Sequence, residues 1–80
     1  MKRLPALSGG RIIEVLQALG FEQAGQKGSH VKLKGYLSGE KKTVIVPLHE
    51  ELAPGTLKSI LRQAGLTLEE LRSLLKNERR

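Results

Sequence analysis

Between His30 and Leu48 the chain reads HVKLKGYLSGEKKTVIVPL, and its apolar residues recur there with a period of two. His30–Lys34 places Val31 and Leu33 on one face of an extended strand and His30, Lys32 and Lys34 on the other. Thr43–Leu48, TVIVPL, is the strongest strand signal, because β-branched residues fit a pleated surface. Ser38-Gly39-Glu40 supplies the turn chemistry between them. Phe21–Gln26 reads as a weaker strand interrupted by Gly25, joined to the next through Lys27-Gly28-Ser29. Three strands linked by short turns predict an antiparallel meander.

The period changes on both sides of the meander. Ile12, Val15, Leu16 and Leu19 recur at helical spacing, with Ser8 as the N-cap and Gly20 at the C′ position. A second helix is predicted from about Gly55 to Ala64, started by Pro54 and closed by Gly65, with Leu57, Ile60, Leu61 and Ala64 facing inward. Thr67-Leu68-Glu69-Glu70 spells a capping box opening a last helix, with Leu68, Leu71 and Leu75 on its apolar side. The predicted order is α-β-β-β-α-α, an α+β fold with helices on one face of a three-stranded antiparallel sheet. One domain over residues 1–80 is expected, frayed at 1–7 and 77–80.

Eighty residues without cysteine must be held by one apolar core, with no disulfide to assist. No stretch approaches the roughly 18–20 apolar residues of a membrane span. Met1-Lys2-Arg3 is followed by Pro5, two glycines and Arg11 rather than by an apolar run, so a cytoplasmic protein is expected. Fourteen Lys and Arg face eight acids, all of them Glu, for a formal charge of +6. That balance suits a polyanionic partner, nucleic acid or an acidic protein, and it also serves solubility.

The charge is concentrated. Lys27, Lys32, Lys34, Lys41 and Lys42 are opposed within their stretch only by Glu40. Two readings are open for the lysines, a solvated outer face and a surface that holds phosphates. His30 stands at the start of a strand, after Gly28 and Ser29, beside Lys32 and Lys34. An imidazole, with an ordinary pKa near 6.5, exchanges protons at cellular pH; a surface histidine is also often a bystander. His49 either faces the same groove or ends its strand beside Glu50 and Glu51. His49 and Glu50 are adjacent, a poor arrangement for joint metal ligation, and no metal or other cofactor is expected. With one Phe, one Tyr and no Trp, the chain lacks a multi-aromatic platform for reading single-stranded RNA.

Taken in order, several short stretches resemble the HicA (YcfA-like) family of toxin–antitoxin modules. They are Gly20-Phe21, Gln26-Lys27-Gly28-Ser29-His30, Val46-Pro47-Leu48-His49, Pro54-Gly55-Thr56-Leu57 and Ile60-Leu61-Arg62-Gln63-Ala64-Gly65-Leu66. The resemblance runs from about residue 4 to residue 75. It implies a double-stranded-RNA-binding-domain-like fold and a translation-inhibiting endoribonuclease acting on mRNA. It further implies that the histidine of the G-S-H turn, here His30, is catalytic, and that a HicB-type antitoxin covers the site. The match departs at Val31, where the family often carries a polar or aromatic residue. The candidate RNA contacts Lys27, Ser29, Lys32 and Lys34 rest on the face argument and on the turn, not on the motif.

Other functions stay open at this point. A non-catalytic RNA- or partner-binding module of the same fold would bind RNA without cutting it. Double-stranded RNA binders usually carry a lysine cluster at the start of the last helix, where this chain has only Lys58. A DNA-binding helix-turn-helix is suggested by Gln63–Leu71, but Glu69 and Glu70 would repel phosphate there.

Overall fold

Ser8 opens the first helix, α1 (Gly9–Ala18): its side-chain oxygen accepts the Arg11 N–H at 3.0 Å. That bond satisfies one of the donors a helix start leaves over. Ile12, Val15 and Leu16 form the buried stripe, and Leu19 at the C-cap is half-buried against it. The computed structural model describes residues 6–78.

Three strands follow, β1 (Glu22–Lys27), β2 (His30–Leu37) and β3 (Glu40–Pro47), then helices α2 (Pro54–Ala64) and α3 (Leu68–Glu78). The α-β-β-β-α-α order and the α+β class expected from the sequence are those observed. The sheet is antiparallel in the order β1-β2-β3, so β2 is its centre. β2 and β3 are longer than their hydrophobic patterns predict, reaching Leu37 and starting at Glu40. The cause is the two-residue turn Ser38-Gly39, both residues at positive φ (54° and 80°). Such a turn matches the right-handed strand twist and lets the ladder zip to its tip. β1 is irregular for a different reason. Its register with β2 shifts between Gln23 and Gly25, which leaves Ala24 as a bulge.

Val31, Leu33, Val44 and Val46 face the helices and are buried, joined by Phe21, Leu57, Ile60 and Leu71. Two glycines let the backbone and rings come close. A Cβ on Gly35 would lie 2.9 Å from the Phe21 ring, so the glycine in mid-strand is the floor on which Phe21 packs. A Cβ on Gly9 would collide with the backbone carbonyl oxygen of Pro47. The start of α1 therefore rests directly on the end of β3, and the Gly9 N–H donates to the His49 carbonyl at 2.9 Å.

Thr67 and Glu70 form the capping box in full: Glu70 N–H donates to Thr67 Oγ1 at 3.0 Å and Thr67 N–H to Glu70 Oε1 at 2.8 Å. Leu71 is buried, while Leu68, Leu74 and Leu75 pack half-buried against the core. Leu7, expected in a frayed lead-in, is instead buried, and its carbonyl accepts the Leu52 N–H at 2.7 Å. At the other end α3 continues through Glu78. Of the expected frayed ends, residues 1–5 and 79–80 lie outside the described residues.

Candidate functional site

With the helices on one side, the other face of the sheet is open, and strand pairing decides what stands there. Residues directly opposite in an antiparallel pair share a face, about 5 Å apart at Cβ. His30 pairs with Lys27 on β1; Lys32 pairs with Gly25 and with Ile45 on β3. Lys34 pairs with Glu22 and Thr43, and Tyr36 with Lys41. His30, Lys32, Lys34 and Tyr36 are all exposed, in alternation with buried Val31 and Leu33 and half-buried Gly35 and Leu37. The face is a lysine-bearing surface with an imidazole at one end, and Glu22 is the acid in these rows.

Around His30 the surface is concave. Gly25, Gln26, Lys27, His30, Lys32 and Ile45 line a shallow depression of about 370 Å³. Gly25 contributes no side chain, which leaves its floor open between the two lysines. The turn that delivers His30 is braced locally: Gln26 Nε2 donates to the Gly28 carbonyl at 3.0 Å. It is braced at long range by Leu48 N–H, which donates to the Ser29 carbonyl at 2.7 Å. The His30 ring has no hydrogen-bond partner among the described residues, so it is available to an incoming group.

The candidate residues are not all brought together. His30, Lys27 and Lys32 share the depression, whereas Lys34 stands one pleat further along the same face. Ser29 is exposed in the turn beside His30 and does not line the depression. His49 does not line it either; it follows β3 and its carbonyl is bonded to Gly9. Lys42 leaves the charged cluster. It pairs with Gly35, on the helix side of the sheet, where Nζ meets Glu40 Oε1 at 3.0 Å and the stem lies against Gly65. Lys42 shares its alternation with Val44 and Val46, a signal present in the sequence. Val31, the departure from the family pattern, is buried, so its polarity bears on packing and not on the depression.

Sequence reasoning missed Ile45, which is 37% exposed beside His30. Alternation with Val44 and Val46 turns it to the open face, and the β2–β3 register sets it beside Lys32. Its N–H points outward from the edge strand and is taken by Gln63 Oε1 of α2 at 3.0 Å. Among the described residues no cluster of three or more His, Cys, Asp or Glu is arranged to hold a metal ion. No described helix is long and apolar enough to cross a membrane.

The model of the HicA toxins of bacterial toxin–antitoxin systems matches residues 9–66, more than half of the chain. The chain belongs to the HicA toxin family. The matched span covers α1, the whole sheet and α2, and it includes His30 and every residue lining the depression beside it. Membership gives the chain the toxin's place in a HicA toxin–antitoxin pair, and hence an antitoxin as its counterpart. No curated protein and no solved structure matches this HicA-family chain.

Proposed function

We propose that the chain is a metal-independent endoribonuclease that cuts messenger RNA in the cytoplasm and so stops translation, with His30 as its acid–base residue. The observation that carries this reading is the position of His30 on the open, lysine-bearing sheet face, in a depression flanked by Lys27 and Lys32. Lysines there attract the phosphate backbone, and an imidazole within reach can move a proton.

The reaction needs nothing beyond RNA. The ribose 2′-oxygen attacks the adjacent phosphorus and loses its proton to a base. The bond from phosphorus to the 5′-oxygen breaks, and that oxygen takes up a proton, leaving a 2′,3′-cyclic phosphate. His30 performs one of the two proton transfers; Lys27, directly across from it, or water serves the other. Lys27 and Lys32 stabilise the extra negative charge of the five-coordinate phosphorus. Among the described residues none that lines the depression is a carboxylate, whereas two-metal cleavage needs several.

A HicB-type antitoxin would silence the enzyme by covering this face, with acidic groups set against the lysines. Incubating a long messenger RNA with the protein in EDTA tests the proposal. Wild type is expected to cut it and His30→Ala to be slower by about 10²–10⁴-fold. Equal cleavage by both proteins removes His30 from the chemistry. Binding without cleavage by wild type makes the chain an RNA-binding module instead.

A further inference from the structure

Tyr36 is the chain's one tyrosine, and it is 68% exposed. An aromatic ring turned to water contributes little to the core. No described residue hydrogen-bonds its hydroxyl. Its place on β2 gives it a different role, because it shares the open face with His30, Lys32 and Lys34. It stands six residues from His30, about 20 Å along the strand.

A second depression lies at this end, lined by Gly20, Glu22, Lys34, Gly35, Tyr36 and Lys41. Gly20 and Gly35 project nothing into it. Gly35 cannot be enlarged without displacing Phe21 behind it. Lys41 pairs directly with Tyr36, and Lys34 stands one pleat away on the same face. The result is one exposed ring beside an open hollow, flanked by two cations, on the same row as the imidazole.

We propose that Tyr36 is a nucleobase-stacking subsite, and that a single RNA strand lies along β2 from His30 to Tyr36. The identity of this ligand rests on the ribonuclease reading above. Phosphates pass over Lys32 and Lys34, and one base lies flat on the Tyr36 ring. Every base has a π-face, so one ring anchors a strand without reading its sequence. The span corresponds to roughly four nucleotides, at the small end of single-strand sites. The lysines alone would equally suit an acidic protein. The hollow beside the ring favours a flat, stacking group.

The molecule carries its own reporter. With one tyrosine and no tryptophan, its intrinsic emission comes from Tyr36 alone. The full-length protein is titrated with 2′-O-methyl oligoadenylates of two and eight nucleotides, which lack the 2′-hydroxyl that cleavage needs. The octamer is expected to quench the emission and to bind more tightly than the dimer. Followed by the polarisation of a dye on the octamer's 5′ end, since these variants lose the emission, Tyr36→Ala should weaken octamer binding by about ten-fold and Tyr36→Phe should retain it. Octamer binding that leaves the emission unchanged and is indifferent to Tyr36→Ala overturns the subsite. RNA cleavage by wild type would still leave the ribonuclease reading intact in that case. A wild-type protein that neither binds nor cuts RNA overturns both. Quenching by polyglutamate but not by the octamer overturns the subsite in favour of an acidic protein partner.

Discussion

Gly9 and Gly10 are neighbours in the first turn of α1, yet replacing each by alanine is expected to move stability in opposite directions. At Gly9 the added methyl would meet the Pro47 carbonyl oxygen, with Pro47 C at 3.0 Å and Leu48 Cα at 3.1 Å. All three atoms are backbone, so no side-chain rotation relieves the clash, and α1 must lift from the end of β3. Overpacking of this kind costs about 1–3 kcal/mol. Losing the Gly9 N–H bond to His49 adds about 1 kcal/mol. Alanine's better helix propensity returns about 0.5–1 kcal/mol. Gly9→Ala should therefore be destabilised by about 2 kcal/mol, lowering the Tm of a domain this size by about 8–16 °C. At Gly10 the nearest atom to an added methyl is Ser8 Oγ, at 4.0 Å. Gly10→Ala keeps only the propensity gain and should melt about 2–8 °C above wild type. Thermal unfolding followed by circular dichroism separates the two. A Gly9→Ala protein that melts at or above wild type refutes the close approach of α1 to β3.

Two other substitutions test the site's electrostatics and the last helix. Lys34→Ala should weaken RNA binding and reduce the slope of log affinity against log salt by about one, because it removes a phosphate contact. Lys42→Ala, on the helix side of the sheet, should leave that slope unchanged; equal effects would place both lysines on the RNA. Thr67→Ala removes the acceptor of the Glu70 N–H and should cost about 1 kcal/mol in urea unfolding. No loss there would mean that α3 is held by Leu71 and its neighbours alone.

The core was legible in the sequence wherever one period dominated. Ile12, Val15 and Leu16 announced α1 by helical spacing, and Val31 and Leu33 announced the buried face of β2. The capping box at Thr67–Glu70 marked the start of α3. Patterning failed where the cause lies in another element. The alternation predicts β2 only to Lys34, and it is the Ser38-Gly39 turn, with Phe21 packed on Gly35, that carries the ladder to Leu37. Ala24 is bulged because β1 must re-register against β2, and no local signal in Glu22–Lys27 records that. The same division runs through the candidate site. Alternation alone placed His30, Lys32 and Lys34 on one face. Which residues stand beside them on β1 and β3 follows from register, set by turns whose φ values the residue types only permit. The pairing of Ile45 with Lys32 and of Lys41 with Tyr36 therefore emerged from the structure. Lys42 is the instructive case: its parity with Val44 and Val46 was readable, but its charge drew it into the cluster.

The end of the sheet that presents His30 has little regular structure around it, yet three backbone hydrogen bonds cross there between distant parts of the chain. Leu48 reaches Ser29, Gly9 reaches His49, and Leu52 reaches Leu7. Residues 48–52, which would otherwise be a free loop, are thereby knotted to the β1–β2 turn, to the start of α1 and to the segment before it. None of these pieces can swing outward without surrendering a bond that another piece depends on, so their amides should resist hydrogen exchange together. The histidine end is in this sense a finished surface before anything binds it. A counterpart that shuts the protein off would act by occupying that surface, because a laced end offers it no loop to fold or unfold.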